Sequence, residues 1–445
     1  MIFYNNCFQL LPKLRNNVQK TLVDKSDCLA SDRRRLCSWE GVGCRNTGHV
    51  MTLDLRNNAL FDFDLWMSGD SQLYMSIYDK TCLEGHISPS LTKLQHLRYL
   101  DLSSNNFVGI QIPKLLGFLK ILRYLNLSNW LQELKKLPLL SSLSLQTHGV
   151  YPVSHLPRVN FASLTSLDLR DNDLNSTIPL WLFNVTLLVH LNLDLNYFYG
   201  PISPNSFQQW TSLTKLDLSV NKFSSSLPFC LGNPTSLSVL DMRSNELQGE
   251  IPSVIVQLRK LTELSLAYNG FNGTILSWLW RLNKLEHLDL SQNALNGELG
   301  KFHFWRLIRL KHLDQSENPM SGNLNYTSSN VRYVRFMGRS KNKLSGEIPV
   351  ELMTLVGLQG LDLSGNHLSG RIPENIGNLK QLQPLDPSKN ELSGSISQSL
   401  SDLNFLSWPK LSFNKLTGRI PSGHHLQTLV NRPFTWEIVD LAVNR

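Results

Sequence analysis

Between Leu188 and Gly297 one spelling recurs five times, and it restricts the chain to a coil that repeats. Leu188, Leu191, Leu193, Asn196 and Phe198 are followed by Leu213, Leu216, Leu218, Asn221 and Phe223, then by Leu237, Leu240, Met242, Asn245 and Leu247. Leu261, Leu264, Leu266, Asn269 and Phe271 come next, and Leu285, Leu288, Leu290, Asn293 and Leu295 end the run. The period is 24 residues with a single 25. A unit of that length cannot bury its apolar side alone, so neighbouring units must stack, with polar or covalent caps at the ends.

Each position has a physical task. Leucines two apart lie on one side of a short strand, and the residue between them faces the other side. The asparagine falls where the chain leaves the strand. A buried amide there needs partners, most directly the backbone of its own and the neighbouring coil. Spelling and period together are those of leucine-rich repeats. At 445 residues the chain exceeds what one core sustains, but a solenoid lengthens by adding coils, so length here counts repeats.

Composition removes several function classes. Hydrophobic content of 41% and charge of 18% suit a folded soluble protein, and no apolar run approaches the ~18 residues of a membrane helix. The net charge of +8 is spread through the repeats rather than clustered with aromatics, which argues against nucleic acid. An acidic polysaccharide or protein surface suits it better, and plain solubility explains it more simply still. No GxSxG, HExxH, phosphate loop or kinase signature occurs, so no enzyme, cofactor or metal is implied. Asp101, Asp168, Asp217, Asp241, Asp289, Asp314 and Asp362 of the LDL-like triplets read as repeat consensus facing solvent, and His424 with His425 as a solvated tail.

Asn5 and Asn6 interrupt the apolar start, which makes a poor secretion signal. Cys37 and Cys44 enclose Trp39, Gly41 and Gly43, a spacing suited to a small disulfide-closed loop over the first coil. Neither a second cysteine pair nor a histidine pair accompanies it, as zinc would require.

CSWEGVGC, followed by Thr47-Gly48-His49-Val50 and LDLRNN, resembles the amino-terminal cap of plant leucine-rich-repeat receptors. The endings Gly249-Glu250-Ile251-Pro252 and Gly370-Arg371-Ile372-Pro373 resemble the plant-type GxIP. HISPSLTKLQHLRYLDLSSNNFVGIQIPKLLGFL and WLFNVTLLVHLNL are similar to receptor-like proteins of the ethylene-inducing-xylanase receptor and apple-scab-resistance type. The resemblance implies an α/β solenoid: a plant-type extracellular leucine-rich-repeat superhelix with a parallel sheet on its concave face and a disulfide-capped amino end. It further implies a glycosylated defence receptor ectodomain at the apoplast face of the plasma membrane. Such a protein has no kinase of its own, binds a protein, peptide or glycan elicitor, and signals through partner receptor kinases. Alternative readings are a secreted inhibitor of microbial cell-wall enzymes similar to polygalacturonase-inhibiting proteins, and a shortened, inactive receptor fragment.

The departures from the family are specific. Leu36 stands where a second cysteine is usual, which leaves Cys28 or Cys7 without its expected partner; Cys82 and Cys230 read as free thiols or packing residues. The family's non-repeat island before Leu344 is missing, as are the cysteine-paired cap, acidic linker and transmembrane helix after Gly418. The expected organisation is a cap over 1–48, first repeats with an irregular insertion over 49–160, the main array over 161–421 and an uncapped tail over 422–445. His148 takes an asparagine place, Gln315 and Arg339 take inward places, and Pro384, Pro387 and Pro409 remove backbone donors, so a looser carboxyl end is expected.

Outward strand positions should align in columns. One reads Tyr99, Tyr124, Ser166, His190, Lys215, Val239, Glu263, His287 and His312, with Arg170 and Arg243 further along their strands. Consensus does not account for this column, so Tyr99, Tyr124, Arg170, His190, Lys215, Arg243, Glu263, His287 and His312 are the expected ligand-binding residues of the concave face. Ordinary histidines there would favour an acidic ligand, with affinity falling as pH rises. Sequons stand at Asn126, Asn175, Asn184, Asn272 and Asn325, and a glycan on Asn126 would stand on the sheet.

Overall fold

Each LxL triplet forms a strand of three residues, and successive triplets pair in register. The computed structural model describes residues 37, 41–56, 91, 93–103, 105, 118–126, 137, 139–145, 161–274, 279–298, 307–324, 333–419 and 421. The chain divides into two compact units, Met1–Tyr199 and Gly200–Arg445. His148, Cys7, Cys28, Cys82, Asn325, His424 and His425 lie outside the described residues.

In the first unit the sheet runs through Val42–Cys44, Val50–Asp54, Tyr99–Asp101, Tyr124–Asn126, Ser142–Ser144, Ser166–Asp168 and His190–Asn192. Only the first pair is antiparallel. That hairpin carries the Cys37–Cys44 disulfide, which closes the amino end as its spacing implies. Gly41 has φ +77, and a Cβ there would stand 2.1 Å from the Asp54 carbonyl oxygen, so only glycine fits.

In the second unit Lys215–Asp217, Val239–Asp241, Glu263–Ser265, His287–Asp289, His312–Asp314, Phe336–Gly338, Gly360–Asp362, Pro384–Asp386 and Trp408–Pro409 form the parallel sheet. Short second strands follow, Glu246–Glu250 pairing with Gly270–Asn272 and Lys343–Glu347 with His367–Ser369. The proline of each GxIP ending then opens a 3₁₀ turn: Pro252 before Ser253–Gln257, Pro349 before Val350–Thr354, Pro373 before Glu374–Asn378. Proline holds the φ that such a start needs, and its missing N–H is not missed there.

The inward leucines are buried throughout, with Leu188, Leu213, Leu237, Leu261 and Leu285 all at 0% exposure. Between them runs the asparagine ladder. Asn196 Nδ2 donates to Leu193 O (3.0 Å), Asp194 O (3.0 Å) and, one coil back, Leu169 O (2.9 Å), while its Oδ1 accepts Leu174 N–H (3.2 Å). The same set recurs at Asn245, Asn269, Asn293, Asn318, Asn342, Asn366, Asn390 and Asn414. The residue before the asparagine adopts a left-handed backbone, as at Leu195, Val220, Tyr268, Lys341 and Phe413 with φ of 50–55°.

The irregular coils keep this geometry. Gln315 and Arg339 are buried at 4% and 3%, yet their carbonyls still accept from Asn318, Asn342 and Asn366, because the ladder uses backbone and ignores the side chain. Pro384 removes one of two donors that ordinarily converge on a single carbonyl; Gln383 N–H still reaches Gln359 O at 2.9 Å. At Pro409, Lys410 N–H donates back to Leu385 O. By strand alternation the donor absent from Pro409 faces away from Pro384–Asp386, the strand that pairs with it.

The aspartates need a correction. They do not simply face solvent: Asp217, Asp289, Asp314, Asp362 and Asp386 each accept through Oδ1 from the backbone N–H two residues on, at 2.9–3.1 Å. They hold the turn out of the strand by a local side-chain bond, and Asp101 is 1% exposed.

Candidate functional site

Parallel strands in register put the outward residues into rows across each sheet. In the first unit the rings of Tyr99 and Tyr124 stack at 4.1 Å with planes 4° apart. Both hydroxyls donate to Asp101 Oδ2 at 3.3 Å, and Asn126 Nδ2 joins them at 3.2 Å. Asp101 Oδ1 takes Ser103 N–H (3.0 Å) and its hydroxyl (2.6 Å). Arg56 spans Asp54 and the Tyr99 hydroxyl, the latter at 3.1 Å. Burial, with the Asp101 charge, pushes the Tyr124 phenol above its ordinary range and the Tyr99 phenol upward too. The tyrosines thus belong to a closed cage around a carboxylate. Ser166 is half-buried, His190 is exposed, and the exposed Arg170 pairs with Asp194 at 3.3 Å.

In the second unit Lys215 and Glu263 are exposed, Val239 is half-buried, and Arg243 leans onto its own strand's Asp241 at 3.5 Å. The row then becomes continuous ring. His287 stacks on His312 at 6.0 Å and 21°, and His312 on Phe336 at 4.7 Å and 8°. Phe336 was readable by counting: it precedes Met337, the inward residue of a coil whose Val334 and Arg339 disguise the spelling. Gly360 and Pro384 continue the row. A Cβ on Gly360 would lie 2.7 Å from Phe336 Cδ2 and 3.3 Å from Pro384 Cγ, so glycine leaves room for the ring.

Electrostatics here differ from the expectation of ordinary histidines. Burial lowers the pKa of His312, and it raises that of Asp314 two residues along. His312 therefore gains charge only in more acid solution than a free imidazole. Beside the row lie Glu286 and Lys311, which form an ion pair that lowers the Glu286 pKa, and exposed Arg335, which has no ion pair among the described residues.

Of the sequons, Asn175, Asn184 and Asn272 are exposed, whereas the Asn126 amide is engaged with Asp101. Cys230 is a buried free thiol donating to Pro204 O, a packing role. Among the described residues no His, Cys, Asp and Glu group could hold a metal ion, and no helix is long and apolar enough to cross a membrane.

Leucine-rich-repeat family models match residues 93–109, 162–223, 236–258, 260–282 and 357–379. Receptor-like protein EIX1 of Solanum lycopersicum is 35% identical over 219 residues, a match covering 47% of this chain and 18% of that protein. Receptor-like protein EIX2 of the same plant is 32% identical over 283 residues, covering 44% and 26%. The matches thus span about a quarter or less of these relatives. Among solved structures, the plant peptide hormone receptor RGFR1 in complex with RGF2 superposes with a TM-score of 0.68 at 28% identity, covering 86% of this chain and 58% of that one. Repeat spelling, stacked parallel strands, disulfide cap and relatives agree: the chain folds as a leucine-rich-repeat solenoid and is similar to plant receptor-like proteins.

Proposed function

We propose that this chain is the ligand-recognition ectodomain of a plant cell-surface receptor-like protein, acting in defence on the apoplast side of the plasma membrane. Its ligand is a peptide or protein elicitor bound on the sheet, and partner receptor kinases carry the signal onward. The observation that supports this most is the outward row of the second unit, where Lys215, Glu263, His287, His312 and Phe336 stand side by side on the sheet. Nothing in the coil needs them, since the ladder bonds through backbone and asparagine. The likeness to a peptide hormone receptor and to receptor-like proteins points the same way.

The test is binding of the purified full chain to a fungal xylanase and to synthetic peptide probes by calorimetry. A Lys215→Ala, His287→Ala, His312→Ala variant is compared with Phe229→Ser, Val350→Ser, whose sites lie on exposed 3₁₀ turns. Loss of binding in the first variant alone supports the proposal. Equal binding by both, or none to any polypeptide, refutes it.

A further inference from the structure

Between His287 and Gly360 the row of rings leaves no gap for a flat ligand. His312 has one face on His287 and the other on Phe336, and the far face of Phe336 covers the Gly360 place, where not even a methyl group fits before Pro384. Solvent therefore meets ring edges. An aromatic ring carries its partial positive charge at the edge and its negative charge on the face, and an imidazole edge adds an N–H donor. Sugars that dock on aromatic side chains do so against open ring faces, and none is open between His287 and Gly360. Edges suit carbonyl and carboxylate oxygens.

The two margins of the row carry opposite charge. On one side stand Lys311, held by Glu286, and exposed Arg335, which has no ion pair among the described residues. On the other runs the aspartate row, Asp289, Asp314, Asp362 and Asp386, each committing Oδ1 to its own turn. Gly338 interrupts that row, and a Cβ there would lie 2.7 Å from Asp314 Oδ1. A chain lying across the strands in extended form sends alternate side chains to opposite sides.

Resting on the proposed function, we infer that the strip His287–His312–Phe336, with Arg335 and Asp314 at its margins, binds an extended polypeptide segment in which acidic and basic residues alternate. Backbone carbonyls lie over the ring edges, acidic side chains turn toward Arg335 and Lys311, and basic ones toward the aspartates. Strip residues are thus a specificity device for peptide over glycan.

Titrating the full chain with a capped alternating Glu-Lys octapeptide, all-Glu and all-Lys octapeptides, and a chitin oligomer tests this. The alternating peptide should bind at least tenfold tighter than the other three. Arg335→Gln, an exposed substitution that leaves the coil intact, should weaken it at least fivefold, and Phe336→Ala should do the same with circular dichroism unchanged. Preference for the chitin oligomer, or for a peptide of single sign, overturns the inference. So does indifference to both substitutions. If the Lys215, His287, His312 variant loses xylanase or peptide binding while Arg335→Gln and Phe336→Ala keep it, this inference falls and the proposed function stands.

Discussion

Replacing Asn269 by leucine tests how the coils are joined, and the hydrogen bonds of its amide set the size of the effect. Asn269 Nδ2 reaches Met242 O (3.0 Å), Leu266 O (3.2 Å) and Ala267 O (3.0 Å), and Oδ1 accepts Leu247 N–H (3.0 Å). Two amide hydrogens serve three carbonyls, so about three full bonds are at stake. The carbonyls are insured: Met242 O keeps Asn245, Leu266 O keeps Asn293, and Ala267 O keeps Ser244 N–H. Leu247 N–H has no second acceptor among the described residues and is left orphaned. With about 1 kcal/mol for each of the two donated bonds and about 1 kcal/mol for the orphaned Leu247 N–H in place of the third, the loss is about 3 kcal/mol. Leucine fills the space and keeps water from rescuing the amide. Hydrogen exchange on the full chain should show the Leu247 amide opening roughly a hundredfold more readily, with the neighbouring coils following. An exchange rate unchanged within threefold would refute the claim that the ladder helps join the coils.

Four further outcomes are expected. Val220, a β-branched residue held at φ 50, should gain about 1 kcal/mol as Val220→Asn, measured by urea denaturation. Peptide mass mapping of secreted protein should find glycans on Asn175, Asn184 and Asn272 and none on Asn126, whose amide nitrogen is committed to Asp101. Spectrophotometric titration should leave Tyr124 protonated beyond the ordinary tyrosine range. Its folded pKa is raised, so its contribution to stability is complete below the unfolded value of ~10 and is lost as pH rises beyond it. His312 runs in the opposite sense: its folded pKa is lowered, so stability falls as pH drops through the unfolded value of ~6.5, and His312→Phe should flatten an acid melt.

Much of this could be read from spacing alone, because the leucine period decides which residues are inside. It placed Leu188 through Leu295 correctly, and it read the coil of Val334, Met337 and Arg339 despite its spelling. Other features depend on which neighbour a side chain meets. The aspartates looked solvent-facing because nothing in LDL reveals that the backbone two residues on turns back to the carboxylate. The outward column stopped at His312 because Phe336 sits in a disguised coil, and Ser142 was passed over in the compressed stretch before residue 160. That the rings stand edge-outward follows from Gly360 on the next strand, a contact between coils 24 residues apart. The weight of the prolines is hidden in the sequence for a similar reason: their effect depends on which side of the strand the lost donor faces.

The asparagine ladder has a direction in time as well as in space. Each asparagine completes the coil before it: Asn269 satisfies Leu247, Asn293 satisfies Phe271, and Asn318 satisfies Leu295. A chain leaving the ribosome presents each coil before the asparagine that finishes it has been made. Every coil is provisional until the next arrives, and assembly is confirmed one coil behind synthesis. Chains stalled with Asn269 still inside the exit tunnel should therefore show the Leu247 amide exchanging freely, and releasing that one coil should protect it.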